Sequence, residues 1–183
     1  MRWRDIAEQN GKTVHRLMQW RSIAPPSIDV RSGNSGFSAP YDGELTLEMV
    51  ETLFDILIRH SGEEQECICA FWEGFGIFDR FPASIRVEGI GQQGHILFNA
   101  SLAAVRDQWC LVLQHAREPS GLTPQAVWPI SCDWYYAVPF EMYSSYFGGA
   151  ARIVAEILSE PSLETDKALP GDNLWQDEIN TDG

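Results

Sequence analysis

The segment Cys132–Glu160 constrains the fold most, because a strand pattern in it is followed by a helix pattern. Every second residue at its start falls on one mostly apolar face: Cys132, Trp134, Tyr136, Val138 and Phe140. A period of two is typical of a pleated strand. From Ala150 to Ser159 the apolar residues recur at helical spacing instead, and Pro161 ends the pattern. We therefore predict a β-then-α unit in which the helix packs on the sheet.

Three more segments have clear patterns. Leu47–His60 is predicted as an amphipathic helix with Thr46 as its N-cap. Cys67–Trp72 is a short continuous apolar run, which favours a strand buried on both faces. Ser101–Arg117 suits either a helix or, around its centre, a strand, and we interpret it as a helix.

The middle of the chain is predicted to hold a hairpin. Strands are expected at Ile85–Glu88 and His95–Asn99. The glycines between them match the spelling G-x-G-x-x-G, but a phosphate-binding loop needs a helix after it, and here a strand follows. We interpret the glycines as a turn, and Pro119–Pro129 as a loop. Together these elements predict an α+β domain with a small, mostly antiparallel sheet and two main helices on one face.

Length and composition fit one globular domain. The chain has 183 residues, of which 44% are hydrophobic. We divide it into an irregular N-terminal lead-in at 1–44, an α+β core at 45–160 and an acidic C-terminal extension at 161–183. Residues 1–31 are rich in Arg and residues 159–183 in Asp and Glu, so the two ends either attract each other or leave a solvated tail, which we favour.

The net charge of −13 limits the partners. Nucleic acid would be repelled, whereas a basic protein partner is compatible. No apolar run is long enough to span a membrane and no secretion signal begins the chain, so we expect a cytoplasmic protein. Cys67 and Cys69 lack the spacing of zinc ligands, and we predict neither a metal nor a cofactor.

Two pairs of carboxylates are the candidates for catalysis. Glu73 and Asp79 flank a glycine-rich aromatic loop, and Asp133 and Glu141 share one face of the predicted central strand. Two carboxylates at a suitable separation can act as general acid and base. In so acidic a chain, carboxylates are also common without a catalytic role.

Aromatic and glycine residues are the candidates for binding. Aromatic side chains bury a large area at a small entropic cost, so they are enriched at interfaces. The candidates for a groove that takes a sugar or a peptide are Trp72, Phe75, Trp128, Trp134, Tyr135 and Tyr146. Gly148 and Gly149 either expose N–H groups to an anion at a helix start or allow close packing. The alternative for the aromatic residues is a place in the core or at its rim.

Two stretches resemble a family of uncharacterised bacterial, largely actinobacterial, proteins. Glu66–Gly76 is similar to its segment with a cysteine followed by W-[DE]-G-[YF]-G. Asp133–Glu141 followed by Ser145–Gly149 is similar to its aromatic strand and [ST]-Y-[VF]-G-G segment. The family's usual C-x-x-C is replaced here by Cys67-x-Cys69. The resemblance implies one domain over roughly residues 41–180 and carries no activity.

The function that these features favour is a non-enzymatic binding protein, in the manner of an immunity or inhibitor protein that neutralises a basic partner. The alternative is a hydrolase or carbohydrate-acting enzyme that uses one of the carboxylate pairs.

Overall fold

The structure, a computed structural model, describes residues 2–24, 45–75, 85–90, 93–115, 122–139 and 142–180. At residues 75, 85–90 and 93 it describes the backbone alone. The chain divides into two compact units. We call Asp42–Leu163 the sheet unit, and Met1–Tyr41 together with Glu164–Gly183 the terminal unit.

The sheet unit is organised around one antiparallel sheet. In the part of the chain that the structure describes, the sheet has six strands in the order β2-β3-β1-β4-β5-β6. The strands are β1 (Glu66–Trp72), β2 (Ile85–Ile90), β3 (Gln93–Ser101), β4 (Ala126–Pro129), β5 (Trp134–Ala137) and β6 (Tyr146–Gly149). Every neighbouring pair is antiparallel, and β2 with β3 forms the predicted hairpin. The predicted α+β class is thus confirmed.

Helices cover one side of this sheet, which we call the inner face. They are α3 (Leu47–Ser61), α4 (Leu102–His115) and α5 (Ala151–Ser159). Their apolar stripes share one buried cluster with β1, β4 and β5. The Thr46 hydroxyl accepts a hydrogen bond from the Met49 N–H at 3.3 Å, and Gly62, with φ of 86°, ends α3. The helix interpretation of Ser101–Arg117 is confirmed by α4.

The predicted central strand is shorter than expected. Cys132 lies in a turn with φ of 57°, a left-handed conformation that no continuous strand contains. β5 therefore begins at Trp134, and Phe140 lies outside the described residues. A strand, β4, occupies the end of the segment that we predicted as a loop, Pro119–Pro129.

Gly148 and Gly149 do not begin a helix. They end β6, and α5 starts two residues later at Ala151. The alternative in which they present N–H groups to an anion at a helix start is therefore wrong. Aromatic and glycine residues of the connection instead pair with β5, because an extended chain satisfies their backbone groups in the sheet ladder.

The terminal unit has a small core of its own. The lead-in is not irregular throughout, because α1 (Trp3–Gln9) and the single turn α2 (Trp20–Ile23) form within it. Among the described residues of this unit, the buried apolar side chains are those of Ile6, Ala7, Trp20 and Ile23. The Glu164 carboxylate accepts hydrogen bonds from the backbone N–H groups of Trp3 and Arg4 at 2.8 and 3.0 Å, which satisfies donors at the first turn of α1.

Asp177 is the polar centre of the terminal unit. Its carboxylate, 2% exposed, accepts hydrogen bonds from the Asn180 N–H at 2.8 Å and the Ser22 hydroxyl at 2.5 Å. The Leu17 N–H donates to Nδ1 of His15, so Nε2 of His15 carries a proton and donates to Asp177 at 2.8 Å. Residues from both ends of the sequence thus meet at one buried carboxylate.

Burial alone would raise the pKa of the Asp177 carboxyl, but the hydrogen bonds from Asn180, Ser22 and Gln19 outweigh it and hold the pKa below its usual range. The Arg16 guanidinium, helped by the Leu169 N–H, lowers the pKa of Asp172 to about 2. The interpretation of residues 159–183 as a solvated tail is therefore wrong for these two carboxylates, which bind groups of the N-terminal segment.

Candidate functional site

The two faces of the sheet separate the aromatic candidates. Trp134 points to the inner face, is 2% exposed and stacks on Phe147 with ring centroids 6.1 Å apart. Its indole N–H donates to the Ser61 hydroxyl at 3.3 Å. Gly149 lies opposite Trp134 in the ladder, and a Cβ there would come within 2.8 Å of the Trp134 Cβ. Trp134 and Gly149 therefore contribute to packing, which is the alternative that we gave to a binding role.

Trp128 and Tyr135 form an aromatic pair on the opposite side, which we call the outer face. The register places them directly across β4 and β5, and their ring centroids are 5.5 Å apart. Trp128 is half-buried, whereas Tyr135 is 40% exposed. Cross-strand aromatic pairs stabilise a sheet, and here the pair also presents ring surface to solvent.

The pair belongs to one row that crosses five strands. The register aligns Asn99, Ile68, Trp128, Tyr135 and Gly148 in this order. Ile130, two residues beyond Trp128, is 51% exposed. The side chains of Ile68, Trp128, Ile130 and Tyr135 therefore offer a mixed aromatic and aliphatic surface.

Two exposed carboxylates flank this surface. Glu66 precedes Ile68 by two residues in β1, so strand alternation directs it toward the outer face, and Asp133 is exposed in the bend that precedes β5. We call the six residues Glu66, Ile68, Trp128, Ile130, Asp133 and Tyr135 the outer patch. An apolar centre with a polar rim is the usual anatomy of a protein interface.

Burial raises the pKa of the Tyr135 phenol, and it does the same for Tyr146, which lies half-buried opposite Ala137. Both phenols are therefore neutral at physiological pH. They offer ring faces and hydroxyl groups to a ligand but no charge, so the charge of this surface comes from its carboxylates.

The other predicted binding residues lie at the far end of β1. The backbone N–H of Trp72 donates to Oε1 of Gln125 at 2.5 Å, and the Trp72 indole ring lies over Gly74. The side chain of Glu73 lies against Gly94, where a Cβ would overlap its carboxylate. Phe75 ends the 3-10 turn Glu73–Phe75, and its side chain lies outside the described residues.

The structure describes only one residue of each predicted carboxylate pair. Asp79 and Glu141 lie outside the described residues, so a catalytic pair stays a prediction. Asp133 is an exposed residue of the outer patch, and Glu73 is half-buried. The structure brings together a different set of charged side chains, which their spacing along the chain did not indicate. The Glu156 carboxylate on α5 binds Arg59 and His60 of α3, and its Oε2 lies 2.6 Å from Nε2 of His60. The guanidinium of Arg59 and then His60 lower the pKa of Glu156.

The four cysteines are free. Among the described residues, no three His, Cys, Asp or Glu are grouped closely enough to hold a metal ion. Cys67 and Cys69 face the core, where burial raises the pKa of Cys67 to about 11 and that of Cys69 to about 12. Their thiols stay protonated at physiological pH and act as small apolar groups.

The cysteines should therefore differ sharply in reactivity. We expect iodoacetamide at about pH 8 to alkylate the exposed Cys132 first and Cys110 more slowly, because the thiolate is the reactive form and access controls the rate. Cys67 and Cys69 should react only after unfolding in urea. Peptide mass spectrometry over time measures each rate, and Cys132→Ser should remove the fast phase. Alkylation of Cys67 in native protein at the rate of Cys132 would contradict the buried placement.

Comparisons with known protein families, characterised proteins and solved structures find no match to this chain. The resemblance carried by Glu66–Gly76 and Asp133–Gly149 thus stays a prediction. No helix in the described ranges is long and apolar enough to cross a lipid bilayer.

Proposed function

We propose that this protein is a non-enzymatic binding protein that engages a basic protein partner through the outer patch. The observation that carries the proposal is the Trp128–Tyr135 ring pair on the outer face, of which Tyr135 is exposed, together with the exposed carboxylates of Glu66 and Asp133. Aromatic rings attract Lys and Arg side chains by cation–π contact, and carboxylates pair with the same groups. The outer patch therefore suits a partner surface that combines basic and apolar side chains.

The distribution of charge supports this choice of partner. The sheet unit carries seventeen Asp and Glu against six Arg, whereas the terminal unit carries nine against seven Lys and Arg. The negative charge is thus concentrated in the unit that holds the outer patch. Such a field speeds the encounter with a basic protein and makes the rate sensitive to salt.

An immunity or inhibitor protein that neutralises a basic enzyme or toxin is one concrete form of this function. Such proteins must bind fast, and electrostatic steering supplies the rate while buried aromatic contacts supply the lifetime of the complex. The outer patch combines both kinds of group.

The test begins with capture of partners from the native host's lysate at low salt, followed by purification of any basic protein that high salt releases. We expect Trp128→Ser with Tyr135→Ser to weaken its binding at least about 30-fold, because aromatic anchors at interface centres typically contribute 2 kcal/mol or more. Leu111→Ser is the matched control, since Leu111 is an exposed apolar residue on α4, on the other side of the sheet.

The charge contribution is tested separately on the same partner. Glu66→Gln with Asp133→Asn should lower the association rate and reduce its dependence on salt. Glu48→Gln with Glu51→Gln removes the same charge from the exposed side of α3 and should have a smaller effect. A complex that forms equally fast and equally tightly with all the patch variants would refute the proposal.

A further inference from the structure

Among the strands that the structure describes, β6 lies at an edge of the sheet. The strand order ends at β6, and β5 is its one neighbour among the described strands. An edge strand offers N–H and C=O groups to another extended chain. Natural edges are often protected by Lys, by proline or by a bulge, and Tyr146-Phe147-Gly148-Gly149 contains no charged residue and no proline. Gly148 and Gly149 are both exposed, so solvent reaches the backbone of this edge.

Gly148 also leaves room beside the outer patch. It lies opposite Tyr135 in the ladder, and a Cβ at Gly148 would meet no atom within 4 Å. The row that contains Trp128 and Tyr135 therefore ends at a position without a side chain. A residue on a strand added next to β6 can therefore cross Gly148 toward Tyr135, and the exposed Asp133 lies two residues before Tyr135 in the chain.

From this geometry we infer that the β6 edge accepts an extended, basic segment of the partner as an additional antiparallel or parallel strand. The inference rests on the proposed function and specifies how the partner binds. Main-chain hydrogen bonds would supply affinity, and an Arg or Lys directed across Gly148 would supply specificity through Tyr135 and Asp133.

The charge of the chain decides between the two occupants of such an edge. A second copy could pair its own β6, but both copies carry a net charge of −13 and their sheet units would repel each other. A basic segment is attracted by the same field. We therefore assign the edge to a basic partner segment.

The test uses synthetic peptides of about eight residues, a common strand length, that alternate Arg and Val and have blocked ends. We expect the peptide to bind and to slow amide hydrogen exchange at Tyr146–Gly149. N-methylation of every peptide nitrogen keeps the charge but removes the donors, so it should weaken binding at least about tenfold. Gly148→Arg should weaken binding of the unmethylated peptide by electrostatic repulsion and steric block, whereas Leu111→Arg, which adds the same charge to the exposed side of α4, should have a smaller effect.

The outcomes separate this inference from the proposed function. Equal binding of both peptides, lost in Trp128→Ser with Tyr135→Ser, would overturn the edge and leave the outer patch as the binding surface. Failure of both peptides to bind, while a captured partner still needs Trp128 and Tyr135, would overturn the edge in the same way. A concentration-dependent dimer of the protein alone that Gly148→Arg dissociates would assign the edge to a second copy and overturn the basic segment.

Discussion

Asp177→Asn should lower the free energy of unfolding of the terminal unit by about 3 kcal/mol or more. The carboxylate is buried and accepts from the Ser22 hydroxyl, the His15 ring and the Asn180 backbone N–H. Asparagine has the same shape, but an NH₂ group replaces one of the two acceptor oxygens. This NH₂ group is itself a donor and faces the donors named above. Buried donors left without an acceptor cost 1–3 kcal/mol each, and more where charge is involved. Urea unfolding followed by hydrogen exchange at the Thr13 and Gln19 amides measures the loss.

Acid titration provides an independent readout of the same carboxyl. Its pKa is lowered in the folded state, so its stabilising effect is present above the unfolded value of about 3.9 and is lost as the pH falls through the folded value. Asp177→Asn should therefore remove part of the acid sensitivity below about pH 4. Asp166 is an exposed residue of the same unit. Asp166→Asn should change the free energy of unfolding by no more than about 0.5 kcal/mol, both at neutral pH and in acid. Equal stability of Asp177→Asn and the wild type would show that the polar centre does not hold the unit together.

Gly149→Ala should destabilise the sheet unit by about 1–3 kcal/mol, whereas Gly148→Ala should be close to neutral. A methyl group at Gly149 comes within 2.8 Å of the Trp134 Cβ and 3.2 Å of the Phe147 ring. The Cβ of Trp134 is fixed by its backbone, so β5 or β6 has to move, and overpacking of this kind typically costs 1–3 kcal/mol. At Gly148 the new methyl group meets open space.

Thermal and urea unfolding of the two alanine variants measure this difference in adjacent residues of one strand. The comparison cancels the general effect of replacing glycine, because both variants lose the same backbone freedom in the unfolded state. A Gly149→Ala protein as stable as Gly148→Ala would mean that the inner face has space beside Trp134.

Local patterns predicted the long helices but missed the short strands β4 and β6. The apolar stripes of α3 and α5 span several turns, so periodicity alone located them within a residue or two of their bounds. β4 and β6 have four residues each, too few for a period to stand out. They form because β1 and β5 offer ladder partners, which is a tertiary effect.

The candidate site was predicted only in part, because it too depends on contacts between strands. Alternation along β5 correctly assigned Trp134 and Tyr135 to opposite faces, but the contact of Tyr135 with Trp128 required the register between β4 and β5. The polar centre at Asp177 was beyond sequence analysis. Its partners His15 and Ser22 lie more than 150 residues away along the chain, and no local signal connects them.

The pairing of both ends of the sequence in the terminal unit sets an order of events during synthesis. α1 and Trp20 leave the ribosome early, yet Glu164 and Asp177, which accept hydrogen bonds from α1 and from the neighbours of Trp20, are translated more than 150 residues later. The sheet unit, a continuous stretch of chain, is complete before these acceptors exist. It should therefore fold first, while the nascent N-terminal segment, with the apolar side chains of Trp3 and Trp20, stays available to chaperones until Glu164 and Asp177 have been translated.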